Sequence, residues 1–308
     1  MNMNLSETKI GILGAGAIGQ LIGFQLHQEG AHLSFIHKYD YSCDEVVNFT
    51  DLDRNEHQYQ IRALTASDPL VKQLKLIIVC VKAYHVMDAI KGIEPFLAKD
   101  CHIVLLHNGL GPHLEISQYL KANQGLSLGT TSQGATRDFK WSVTRTGKGL
   151  TQLGHCIGQP LNADLKQLLL AAIPNSEWTD EILPSLWYKL AVNSVINPLT
   201  AINSCKNGSL AHQDYSNTIQ DIISELMLVA EHEKLPIERT LVHDRVHEVI
   251  KLTQNNYSSM HQDIAHQRQT EIDYINGYLV KLAHKHQIHI PTNKKLLDSI
   301  RLLSQQRQ

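Results

Sequence analysis

The stretch Lys9–Leu26, KIGILGAGAIGQLIGFQL, decides the fold. Its first five residues are a short apolar run suited to a buried strand. Gly14-Ala15-Gly16-Ala17-Ile18-Gly19 follow as a glycine loop. Ile18, Leu21, Ile22 and Leu26 then recur on one side of a helix that Gly30 closes. A second apolar run, HLSFI, comes next at His32–Ile36. G-x-G-x-x-G between a strand and a helix predicts a dinucleotide site. Gly14 permits the tight turn, Gly16 lets a pyrophosphate approach the backbone, and Gly19 lets helix and strand pack closely. The helix N-terminus adds unpaired N–H groups and a partial positive charge for phosphate.

The end of the second strand selects the nucleotide. NAD binders place an acid there, roughly 20 residues past the loop, for the ribose hydroxyls. This chain has His37 and Lys38 instead. A cation attracts a 2′-phosphate, so NADP is favoured, with Asp40 keeping NAD as the minority alternative.

Working outward, residues 41–75 are polar and uneven, with one strand-like stretch at Tyr59–Ala63. LKLIIVCV is a continuous apolar run expected to be a parallel strand buried on both faces, ending at Lys82 in VKAYHV. A helix over Val86–Leu97 and a strand, HIVLLH, follow, and the strand ends at Asn108 in HNGLGP. Open parallel sheets bind ligands beyond the carboxyl ends of their strands, where Gly14, Lys82 and Asn108 all fall. The threonine-rich pieces LSLGTTSQGAT, KWSVTRTG and LTQLGHCIG are expected to be antiparallel strands closing the sheet. A helix over Leu161–Ile173 and a passage over Pro174–Pro184 then divide the chain into domains 1–178 and 179–308.

No convincing strand follows. Leu186–Ile202, LWYKLAVNSVINPLTAI, predicts a buried helix on which Lys189, Asn193 and Asn197 stand i, i+4, i+8 along one face. A lysine there is costly unless something pairs with it. The plainer alternative is a lysine snorkelling to the surface. Pro198 is expected to kink or stop the helix and to free a carbonyl beside the polar stripe. Amphipathic helices around Ile219–Ala230 and Leu241–Ile250 follow. The segment from Ser258-Ser259, residues suited to N-capping, carries an apolar line through Ile264, Ile272, Ile275 and Leu279. Glu271 lies at the edge of that line, on the border between core and water, where a carboxylate could face a cleft; an exposed helical glutamate is the more ordinary reading.

Composition bounds the function. A chain of 308 residues suggests about two domains, and a formal net charge of −2 argues against a nucleic-acid partner. The five cysteines are odd in number and lack C-x-x-C, which suits a reducing compartment. The polar start MNMNLSETK has no signal-peptide core, and no apolar run reaches membrane-span length. A soluble cytoplasmic protein with no membrane partner is expected. The 18 histidines include His243 and His247 at i, i+4, but without cysteine or H-E-x-x-H no metal site is expected.

GAGAIGQL, VKAY, HNGLGP, GTTSQGATRD, WYKLAVNSVINPLTAI and SSMHQDIAHQRQTEIDYINGYL stand in an order and spacing that resemble the ketopantoate reductase family, from Lys9 to about Pro291. The resemblance implies an α/β Rossmann dinucleotide-binding domain followed by an all-helical C-terminal domain. It implies NADPH-dependent reduction of 2-dehydropantoate, a small-molecule substrate, to (R)-pantoate in pantothenate biosynthesis. A homodimer is the assembly considered. By matching motif positions, Lys189 would be the general acid and Glu271 the carboxylate that orients substrate or lysine. Asn108, Asn193, Asn197 and Ser259 would bind substrate. Gly14, Ala15, Gly16, Ala17, Ile18, Gly19, Lys38, Lys82, Asn108 and Glu271 would hold the cofactor. Lys38 replaces an arginine frequent in the family, keeping the charge but losing the planar fork. HNGLG carries leucine where methionine is common. A reductase of another 2-oxo acid and a non-catalytic NADPH sensor are the alternatives; the sensor leaves Lys189 and Glu271 unexplained.

Overall fold

A computed structural model describes residues 9–305. Contacts divide the chain into two units, one running to His107 and resuming over Pro112–Ile182, the other made of Asn108–Gly111 and the chain from Leu183 onward.

Among the described residues the first unit is built on one sheet of 11 strands. β1 (Lys9–Leu13), α1 (Ala17–Gln28) and β2 (His32–Ile36) form the opening βαβ unit, with Lys9 paired to His32 and Leu13 to Ile36 in parallel. β3 (Cys43–Thr50) and β4 (Glu56–Leu64) form an antiparallel hairpin, and β4 also runs parallel to β2. β5 (Leu76–Val79), α2 (Val86–Ile93) and β6 (His102–Leu105) continue the parallel sheet on the other side of β1. All four residues of β5 and of β6 are buried, as a strand covered on both faces requires. After α3 (Pro112–Ile116) come β7 (Gly125–Thr131), β8 (Gly134–Phe139), β9 (Ser142–Gly147), β10 (Thr151–Gly158), α4 (Ala163–Ala172) and β11 (Ser176–Thr179). The sheet order is β11-β10-β7-β6-β5-β1-β2-β4-β3-β9-β8. Its parallel centre has the doubly wound order, with the switch point between β1 and β5. Leu21, Ile22 and Leu26 of α1 share a core with Leu165, Leu168 and Leu169 of α4 and with Ile10, Ile12 and Phe35 of the sheet.

Several expectations are corrected. Residues 41–75 hold a full hairpin, not one weak strand. β3 escapes notice because it alternates exposed Asp44, Val46 and Asn48 with a buried face of only Val47 and Phe49. Phe49 stacks on Phe24 at 3.7 Å, a contact invisible to local pattern. The turn is set by Asp51, whose Oδ1 accepts from the N–H groups of Asp53 and Asn55. The strands after residue 125 do not all run antiparallel. β7 is parallel to β6, and only β10 turns back on it. The β8–β9 hairpin joins the far edge of the sheet, where β9 runs parallel to β3. Trp141, in its turn, is buried edge-on against Phe35 with ring centroids 5.3 Å apart. The helix expected over Val86–Leu97 ends at Ile93, where Pro95 imposes a 3-10 turn. The passage after α4 contains β11, a parallel edge strand on β10.

The second unit is helical. Its elements are α5 (Ile182–Ile202), α6 (Ser216–His232), α7 (Arg239–Leu252), α8 (Ser259–Ala265), α9 (Asn276–Lys285) and α10 (Pro291–Gln305). Helix α5 does not stop at Pro198. It runs on to Ile202, because the carbonyl that the proline leaves unpaired, that of Ser194, accepts from Asn276 Nδ2 at 3.1 Å. The segment from Ser258 is not one helix either. Gln267 takes a left-handed conformation (φ 55°), the chain folds back, and a 3-10 turn at Ile272–Tyr274 precedes α9. α10 opens on Pro291, and the carboxylate of Glu225 accepts from the N–H groups of Thr292 and Asn293. Among the described residues no helix is long and apolar enough to cross a membrane.

Candidate active site

In the first unit the glycine loop lies between β1 and α1, at the sheet's switch point. Gly14 has φ 110°, and a Cβ on Gly19 would sit 2.0 Å from the Gly14 carbonyl oxygen. These two glycines are required by the protein's own packing. Gly16 differs. Among the described residues other than its chain neighbours, a Cβ there would meet no atom nearer than 4.0 Å, so what its missing side chain leaves is open space above the start of α1. Gly16 is the N-cap of α1 and has no side chain to bond the first-turn N–H groups. This donor set, with room over it, fits a dinucleotide's phosphates. Ala15, Ala17 and Ile18 complete the loop and are partly buried. Lys38 stands exposed just past β2, and no carboxylate among the described residues forms an ion pair with it. Lys82 is half-buried, at the N-cap of a 3-10 turn over Ala83–His85.

The second unit carries Lys189 and Glu271, the pair for which an acid–base role is expected. Lys189, Asn193 and Asn197 lie on one face of α5, as their spacing requires. Burial pulls the Lys189 amine down to about 8, and the negative charge of Glu271 opposes that fall. Glu271 is 4% exposed, so the exposed helical position expected for it is corrected. It sits outside helix, as the residue before the 3-10 turn. The fold-back that delivers it is held by Arg268, whose backbone N–H reaches the Asp263 carbonyl at 2.7 Å and whose Nε donates to the Asp263 carboxylate at 3.1 Å.

Asn108 joins this group. Its Nδ2 donates to Glu271 Oε2 at 3.3 Å. The HNGLG segment is docked on the same turn, since the Leu110 N–H donates to the Tyr274 carbonyl at 2.8 Å. Gly109 (φ 76°) lies so close that a Cβ would fall 2.4 Å from that carbonyl oxygen. Asn193 is half-buried and Asn197 buried, and neither side-chain amide has a protein partner among the described residues. Ser259 is exposed as the first residue of α8. The N-cap is its neighbour Ser258, which is buried, accepts from the His261 N–H at 3.1 Å and from Thr200 Oγ1 at 2.7 Å. Supporting residues that the sequence did not mark are Ser194, Asn276 and Asn293. Asn276, fully buried, donates to both Ser194 O and Asn293 Oδ1, which couples α5 to the start of α9 and to α10. Pro198 inside an otherwise unbroken helical pattern was the available signal for that link. No group of three or more histidine, cysteine, aspartate or glutamate side chains among the described residues could hold a metal ion.

A doubly wound sheet with a glycine loop at its switch point, and a helical unit presenting a lysine beside a buried carboxylate, define a pyridine-nucleotide-dependent oxidoreductase. Residues 10–158 match the family model for ketopantoate reductase PanE/ApbA, and residues 181–304 match the model for its C-terminal part. The chain belongs to the ketopantoate reductase family. It is 36% identical over 296 residues to the 2-dehydropantoate 2-reductase of Shigella flexneri, covering 95% of this chain and 94% of that one. Among solved structures, a PanE/ApbA family ketopantoate reductase from Ralstonia eutropha superposes with a TM-score of 0.85 at 23% identity, covering 97% of this chain and 99% of that one. A D-mandelate dehydrogenase solved with NADH and anilino(oxo)acetate has the same fold, with a TM-score of 0.85 at 24% identity and the same coverage.

Proposed function

We propose that this chain reduces 2-dehydropantoate to (R)-pantoate with NADPH, as a soluble cytoplasmic enzyme of pantothenate biosynthesis. The observation that carries the chemistry is Lys189, a half-buried lysine whose amine desolvation brings to about 8 and which the Glu271 carboxylate flanks. When bound, the reduced nicotinamide supplies a hydride to the ketone carbon. Negative charge then grows on the ketone oxygen, where the Lys189 ammonium stabilises it and gives up its proton. Glu271 favours the charged form of Lys189 against the cost of burial. Asn193 and Asn197 offer neutral amides to the substrate's hydroxyl and carboxylate without adding net charge. Asn108 fixes Glu271 through its amide. Lys38 provides the cation for a 2′-phosphate, and so the preference for NADPH.

Turnover followed by NADPH absorbance tests this, comparing 2-dehydropantoate with 2-oxoisovalerate, which lacks the hydroxymethyl group. A site that hydrogen-bonds that hydroxyl should favour 2-dehydropantoate by at least about 10²-fold in kcat/KM. Equal or reversed preference would assign the chain to another 2-oxo acid. NADPH binding without turnover of any keto acid would make it a sensor.

A further inference from the structure

The GATRD motif, residues 134–138, has no part in the chemistry above, yet it reaches the nucleotide loop of the first unit. Arg137, on β8, donates from Nη1 to the Ala15 carbonyl at 3.0 Å. The same carbonyl accepts from Gln20 Nε2 at 2.9 Å, and that amide also donates to the Lys140 carbonyl in the β8–β9 turn at 2.9 Å. Gln20 is fully buried, so the hairpin is fixed to the start of α1 through the loop itself. The β8–β9 register slips between Arg137 and Phe139. Such a bulge leaves a residue unpaired and re-aims its neighbours. Arg137 is exposed, and no carboxylate among the described residues forms an ion pair with it. By contrast, Lys140 on the same hairpin spends its charge on Glu45 at 3.0 Å. One carbonyl bond occupies one of five guanidinium donors.

We propose that Arg137 is a nucleotide-binding residue whose guanidinium, anchored on the Ala15 carbonyl, contacts a phosphate of the dinucleotide. The β8–β9 hairpin is then an arm of the cofactor site, built from a part of the chain more than 100 residues from the glycine loop. This rests on the glycine loop being the nucleotide site and is independent of which keto acid is reduced. Fluorescence titration of NADPH and of NADH, with no keto acid present, tests it on the wild type, Arg137→Gln and Arg137→Lys, each checked for a native melting curve.

Arg137→Gln should raise the NADPH Kd at least about tenfold, the scale of one lost charge-assisted hydrogen bond. Arg137→Lys should fall between it and the wild type, because lysine keeps the charge and loses the fork. A matching loss for NADH identifies the shared diphosphate as the contact, and a loss confined to NADPH identifies the 2′-phosphate. An unchanged Kd for both nucleotides overturns the proposal, as does a wild type that binds neither. If Arg137→Gln weakens binding but 2-dehydropantoate is not turned over, the Arg137 role stands and the substrate assignment falls.

Discussion

An amine that titrates near neutrality can hold a proton and release it within one turnover, and burial brings Lys189 to that range. Its value of about 8 is the balance of burial, which favours the neutral amine, and the Glu271 charge, which favours the ammonium. A general acid works only while protonated, so kcat should fall as pH rises through about 8. Glu271→Gln removes the influence that raises this pKa, so the descending limb of the pH–kcat profile should move to lower pH. A limb that stays put, or moves to higher pH, would remove Glu271 from this role. At this scale the lysine was readable in the sequence, because the i, i+4, i+8 spacing of Lys189, Asn193 and Asn197 survives in any helix. The burial of Glu271 was not. It depends on Gln267 turning the chain back and on Asn108 arriving from a segment 163 residues away.

At the scale of the element, α5 persists through a proline because the rest of the unit supplies what the proline lacks. Asn276 answers the freed Ser194 carbonyl and is itself tied to Asn293. Asn276→Leu should therefore destabilise the protein by about 2–4 kcal/mol, the cost of leaving two buried acceptors without their donor. The midpoint of urea unfolding measures this, and a change below about 0.5 kcal/mol would make the link incidental. The sequence announced the freed carbonyl but not its partner. Proline's missing N–H is a local fact, whereas the donor lies 82 residues on. The β3–β4 hairpin was hidden for a related reason. Its exposed face is polar, and its buried face packs on α1 through Phe24 and Phe49.

For the whole molecule, legibility followed locality. β1, α1 and β2 are each declared by their own residues, and the glycine loop is declared by Gly14, Gly16 and Gly19. The β8–β9 hairpin read correctly as strands, but the edge it joins was not legible, since pairing with β3 is decided by distant residues such as Trp141. The helical unit was readable in its amphipathic stripes, while the break between α8 and α9 looked like continuous helix.

In the proposed mechanism the Lys189 ammonium delivers the proton during nucleotide-dependent ketone reduction. The most direct measurement is kcat for Lys189→Ala with NADPH and 2-dehydropantoate, with NADPH affinity measured on the same preparation. The prediction is a loss of at least about 10²-fold in kcat with NADPH affinity retained. A kcat near that of the wild type would contradict it.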